Sequence, residues 1–114
     1  MSNNCIFCKI AAGEIPCEKI YEDELIIAFR DIAPVAPVHV LLVPKVHIQS
    51  ANEITSENSH IVARIFEVAS NLALELGIAE SGYRIVNNCG ADGGQTVAHL
   101  HFHLIAGRAG GGMY

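Results

Sequence analysis

The sequence predicts an α+β domain: a mainly antiparallel sheet with one long helix and a short N-terminal helix. Three observations carry that reading. Apolar segments of strand length follow one another through short turns. A single stretch repeats its apolar residues at helical spacing. The run His99-Leu-His-Phe-His-Leu104 alternates with period two. Strands joined by short turns pair antiparallel, and one inserted helix must bury its apolar stripe on a sheet face.

The elements follow in chain order. Cys5 to Ala12 reads as a short helix stopped by Gly13, with Pro16 preventing its continuation. Ile20-Tyr21 and Leu25 to Phe29 read as strands flanking the acidic turn Glu22-Asp23-Glu24. Asp31 to Pro37 is a stiff loop, because Pro34 and Pro37 each fix φ and lack a donor. Val38 to Val43 is a hydrophobic strand ended by Pro44, with His39 embedded in it.

The long helix is capped by Thr55 or Ser56. Its apolar stripe is Ile61, Ile65, Val68, Leu72 and Leu76, and Gly77 ends it. Tyr83 to Val86 is the next strand, and Asn87 to Thr96 is a turn-rich loop that feeds the histidine strand. The tail 107–114 is too glycine-rich to fold alone. There is no internal repeat and no linker, so 1–114 reads as a single domain.

A chain of 114 residues buries one core. With 51% hydrophobic and 17% charged residues, its apolar surplus points to a subunit interface. No apolar stretch reaches the roughly twenty residues of a membrane span, and the N-terminus lacks the pattern of a signal peptide. A cytoplasmic protein with no membrane partner is expected. The net charge of -5 argues against binding nucleic acid, which requires a basic patch. In that setting the four cysteines read as thiols or metal ligands, not as a disulfide frame.

Chemistry concentrates in two places. On a strand, His99, His101 and His103 would form one row, neighbours about 7 Å apart, opposite a packed row of Leu100, Phe102 and Leu104. Imidazoles titrate near neutrality, bind metals and attack phosphorus. Directly before them stands Asp92-Gly-Gly-Gln-Thr96. This reads either as a hairpin turn or as a phosphate cradle of backbone amides with Gln95 and Thr96 as added donors. The second place is Cys5-x-x-Cys8. Two thiolates one turn apart make half of a tetrahedral zinc site that imidazoles can complete; the alternative is a pair of buried free thiols. His60, on the polar side of the long helix, reads as solvated.

The segment Gly93-Gly-Gln-Thr-Val-Ala-His-Leu-His-Phe-His-Leu104 resembles the signature of the histidine triad (HIT) family. Gly13-Glu-Ile-Pro16, Tyr21-Glu-Asp-Glu24, Ala28-Phe-Arg-Asp-Ile32, Ala36 to Lys45 and Gly82 to Asn88 are similar to its nucleotide-binding branch, so the resemblance covers nearly the whole chain. It implies a HIT-like fold, a homodimer, and hydrolysis of purine nucleoside phosphoramidates or adenylyl conjugates through a nucleotidyl-histidine. It assigns His101 as nucleophile, His103 to the phosphate oxygens, and His39 to orienting the nucleophile and relaying protons.

The same resemblance places Gly94, Gln95 and Thr96 at the phosphate and leaving group, and Asp31 at the ribose hydroxyls. From its residues alone, Asp31 is equally a turn-former before Pro34. Asn88, or the adjacent Asn87, falls near the ribose and phosphate. Ile6, Phe7, Ile10, Phe29 and Ile32 fall on the walls of the base pocket or in plain core. A structural zinc ion is implied on Cys5, Cys8, His47 and His99.

Other readings stand beside this one. They are a dinucleoside polyphosphate hydrolase, a nucleotide-sensing binding module, and an enzyme holding a catalytic metal on the histidine row. The tail Ala109-Gly-Gly-Gly-Met-Tyr114 departs from the tryptophan-bearing end of animal members, so no leaving-group preference carries over.

Overall fold

A computed structural model describes residues 5–107; the glycine-rich tail beyond Gly107 lies outside the described residues. The elements are α1 (Ile6–Ala11), β1 (Lys19–Glu22), β2 (Ile26–Arg30), β3 (Val38–Pro44), a 3-10 turn (Ala51–Glu53), α2 (Ser59–Glu75), β4 (Arg84–Val86) and β5 (Phe102–Ala106). The strands form one sheet in the order β1-β2-β3-β5-β4, every neighbour antiparallel. This is the predicted α+β architecture.

The two faces of the sheet have different covers. Ile26, Ala28, Val40, Leu42 and Leu104 pack under Ile61, Ile65, Val68 and Leu72 of α2. Ile27, Phe29, Leu41 and Val43 point the other way, to Phe7 and Ile10 of α1. β2 and β3 are thus buried on both sides, which is why they read as unbroken apolar runs. β5 alternates because one of its faces is given to histidine.

Two predicted boundaries move by more than a residue. Thr55 does not cap α2 directly: its hydroxyl accepts from Glu57 N–H and its carbonyl from Ser59 N–H, so it opens a turn that runs into a helix starting at Ser59. At the other end Gly77 adopts φ +74°, a conformation open to a residue without Cβ, and the helix stops there as expected. The histidine strand is shorter than its alternation suggests. β5 begins at Phe102, leaving His99, Leu100 and His101 outside the ladder.

Candidate active site and metal cluster

His99 and His101 leave the sheet because other groups hold them. The β3–β5 ladder ends at the pair Leu42–Phe102. Beyond it, His99 Nε2–H donates to the Pro44 carbonyl at 2.8 Å, and Leu100 N–H donates to the Ile48 carbonyl at 2.6 Å. The parity of the side chains survives: Leu100, Phe102 and Leu104 join the α2-side core, and the histidines stay on the α1 side. The row is not an open surface, however. His99 and His101 are buried, and the Phe7 ring meets both edge-on, with centroids 5.8 and 5.0 Å away. Phe7 itself rests on Phe29 at 5.8 Å.

Hydrogen bonds assign the ring protons. A carbonyl can only accept, so the 2.7 Å contact from His101 Nδ1 to the His99 carbonyl puts the proton on Nδ1. Neutral His101 therefore carries its lone pair on Nε2, the tautomer a nucleophile needs. His39 is the reverse case. Its Nδ1 accepts the Val35 N–H at 3.2 Å, so its proton sits on Nε2. From there it is donated to His103 Nδ1 at 2.9 Å, with Asp31 Oδ2 at 3.4 Å. His103 then keeps its proton on Nε2. Burial, reinforced by the charges of His101 and His39, pushes His103 down to about 4, so it is a neutral N–H donor at neutral pH. His39 touches His103, not His101, whose ring lies 5.2 Å from that of His103.

The nitrogen and oxygen atoms of Asp31, His39 and His103 also lie close enough to share a cation. A metal on His39 Nε2 would require the ring proton on Nδ1, where Val35 N–H already points. The hydrogen bonds therefore favour a proton relay over a metal at this cluster.

Cys5, Cys8, His47 and His99 converge at the other end of the row. Because His99 gives its Nε2 proton to Pro44, its Nδ1 is bare. That nitrogen lies 3.2 Å from Cys5 Sγ, 3.6 Å from Cys8 Sγ and 3.2 Å from His47 Nδ1, while Cys8 Sγ lies 3.3 Å from His47 Nδ1. Tetrahedral zinc with ordinary bond lengths separates two nitrogens by about 3.3 Å and a sulfur from a nitrogen by about 3.6 Å. The donor set fits such an ion, with Pro44 as the group that orients a ligand from behind. Burial holds His99 below its usual range, keeping the lone pair available. Burial and neighbouring Cys5 push the Cys8 thiol up to about 11, so a metal must displace a proton there.

The remaining predicted residues are placed as follows. Gln95 is committed to its own loop: its amide donates to the carbonyls of Gln49 and Val97 and accepts from Gly90 N–H. The N–H groups of Gly94 and Gln95 bond the carbonyls of Ala91 and Gly90, so these two amides are engaged within the turn. Asn88 holds the Gly93 carbonyl at 2.7 Å, and a Cβ on Gly93 would collide with the Cys89 carbonyl. Thr96 is exposed beside this loop.

Asp31 is a turn-former in fact, accepting Ala33 N–H at 2.8 Å, and it also reaches His39. Phe7, Ile10 and Phe29 share one cluster, whereas Ile6 and Ile32 stay outside it, Ile32 at 99% exposure. Sequence reasoning missed the backbone groups of Val35 and Pro44. A main-chain N–H or C=O leaves no mark on residue identity.

The model of the HIT domain matches residues 12–110. The chain belongs to the HIT family. Among relatives of this HIT chain, the purine nucleoside phosphoramidase of Escherichia coli (strain K12) is 43% identical over 113 residues, 99% of this chain and 95% of that one. A histidine triad protein from Clostridium difficile superposes with a TM-score of 0.95 at 47% identity, covering 100% of this chain and 99% of that one. A HIT family hydrolase from Clostridium thermocellum gives 0.95 at 50% identity, over 99% and 98%. The fold is the HIT fold, and among the described residues no helix is long and apolar enough to cross a membrane.

Proposed function

We propose that this HIT protein is a hydrolase of purine nucleoside 5′-phosphoramidates or adenylyl conjugates that works through a nucleotidyl-histidine. One observation carries the reading: His101, with Nδ1 donating to the His99 carbonyl, offers an Nε2 lone pair beside a neutral donor, His103. The similarity to a purine nucleoside phosphoramidase supports the substrate class.

In the first step His101 Nε2 attacks the α-phosphorus and the phosphorus–nitrogen bond breaks, its electron pair leaving with the amine. The amine takes up the proton held on His103 Nε2, while His39 passes its own Nε2 proton to His103 Nδ1 with the Asp31 carboxylate accepting beside it. In the second step water attacks the phosphorus and returns to the His39–His103 pair the proton given up in the first, the bond to His101 breaks, and the imidazole regains its lone pair. Asp31 additionally accepts from the ribose hydroxyls. Asn88, Gly94 and Thr96 line the nucleotide, and Phe7, Ile10 and Phe29 wall the base, with Ile6 and Ile32 at its open side.

Zinc on Cys5, Cys8, His47 and His99 has no open position for substrate or water and would supply stability alone. The protein is further proposed to be a cytoplasmic homodimer, built on α2 and the edge strand β4.

The test compares rates on adenosine phosphoramidate, an adenylyl-lysine conjugate and diadenosine polyphosphates, with rapid acid quench and mass spectrometry of the His101 peptide. A nucleotidyl adduct and preference for the first two support the reading. Preference for the polyphosphates moves the substrate to the sister class. No turnover with tight AMP binding marks a nucleotide-sensing module.

A further inference from the structure

The nucleophile's backbone lies outside the sheet ladder, and a side chain stands in for the missing rung. Asn87 Nδ2 donates to the His101 carbonyl at 2.9 Å. The partner oxygen can only accept, which assigns the amide nitrogen to this contact. Asn87 follows the last residue of β4, where Val86 pairs with His103, so the edge strand aims it at the start of β5. Beyond the last rung, where the chain bonds to Pro44 and Ile48, the Asn87 amide takes the His101 carbonyl.

We propose that Asn87 is a positioning residue for the nucleophile: by holding the His101 carbonyl, its amide sets where the His101 imidazole stands. This rests on the reading of His101 as nucleophile. The ring is already held by its bond to the His99 carbonyl and by the Phe7 edge 5.0 Å away. Pro44 and Ile48 anchor the stretch at His99 and Leu100; what all these contacts leave free is the peptide at His101 itself, where the chain enters β5, and the Asn87 bond removes that freedom. A displacement of about 1 Å at a reacting atom costs on the order of a hundredfold in rate, while a bound nucleotide held by other groups barely feels it.

Asn87→Leu keeps the shape and removes the donor; Asn87→Asp keeps the shape and sets an oxygen against the carbonyl. In both, kcat on adenosine phosphoramidate should fall about ten- to hundredfold while the AMP dissociation constant stays within about threefold. The NMR signal of the His101 Nδ1–H should shift and exchange faster with solvent. Asn87→Ala, judged by the same thresholds, replaces any variant whose melting curve shows it unfolded.

A kcat within about twofold of the native value overturns the proposal, as does a loss of AMP affinity equal to the loss of kcat. If the native chain does not turn over the phosphoramidate, the reading of function fails separately. The His101 ring signal then decides alone, and an unchanged signal in the variants overturns the role of Asn87.

Discussion

His39 Nε2 and His103 Nδ1 lie 2.9 Å apart, although 64 residues separate them in the chain. The contact exists because β3 and β5 are neighbours, with Leu41 opposite His103, and both histidines face the α1 side of the sheet. Val35 N–H behind His39 and Asp31 beside it give this pair one direction of donation, ending at His103 Nε2–H.

His39→Ala removes the donor to His103 and with it the route for a proton to the leaving group. Proton transfer by a positioned side chain is worth about 10²–10⁴ in rate. We expect kcat to fall within that range with the AMP dissociation constant nearly unchanged, checked by steady-state kinetics and calorimetry. A loss under about fivefold would remove His39 from the relay.

His101→Ala should abolish turnover and still bind AMP, because in the proposed mechanism the imidazole forms the covalent bond while neighbouring groups hold the phosphate. Quenched reactions of the variant should contain no nucleotidyl peptide. Near-native hydrolysis would rule out covalent catalysis at this position.

One zinc ion per chain is expected by elemental analysis of protein purified without chelators. Cys5→Ser and Cys8→Ser should each lower both the zinc content and the melting temperature, because a closed four-donor site contributes folding energy directly. Native protein purified without zinc, or variants that melt unchanged, would show that the cluster is only a packed group of thiols and imidazoles.

Asp31→Asn keeps the oxygen that accepts Ala33 N–H and removes the charge that faces His39 and, in the proposed complex, the ribose. A lost hydrogen bond to a charged group costs about 1.5–3 kcal/mol, or roughly ten- to hundredfold in affinity. AMP should weaken by that factor and a 2′,3′-dideoxy analogue far less. Equal losses would confine Asp31 to shaping its loop and orienting His39.

Acid should destabilise the fold through His103. Its pKa falls from the ordinary 6.5 to about 4 on folding, so between those values the unfolded chain binds a proton that the folded chain refuses. Stability is therefore intact above pH about 6.5 and declines as pH drops toward 4, by at most about 3.5 kcal/mol at roughly 1.4 kcal/mol per unit and by less where water screens the half-buried ring. Urea melts of native protein and His103→Gln at pH 7, 5.5 and 4 isolate the effect, and the native protein should lose stability relative to the variant as pH falls. Parallel curves would show that His103 titrates normally in the fold.

Much of this protein follows from local patterns. Period-two alternation separated Leu100, Phe102 and Leu104 from the three histidines, and helical spacing identified the buried stripe of α2, because both depend only on where successive Cβ atoms point. The four metal-site residues could be named from motif resemblance, and the structure brings all of them together. Alternation could not say where β5 begins, since a side chain's face is the same whether its backbone pairs with a strand or with Pro44 and Ile48.

Tertiary structure alone decided the rest. The proton positions on His39, His101 and His103 depend on the carbonyl or N–H that each ring meets, and those groups are main-chain atoms common to every residue. The same holds for Gln95, whose amide is taken up by Gly90, Gln49 and Val97, and for Asn87, whose reach to His101 depends on the register of β4 against β5. Residue type states which hydrogen bonds a side chain can make; only the folded chain determines which partners stand within reach.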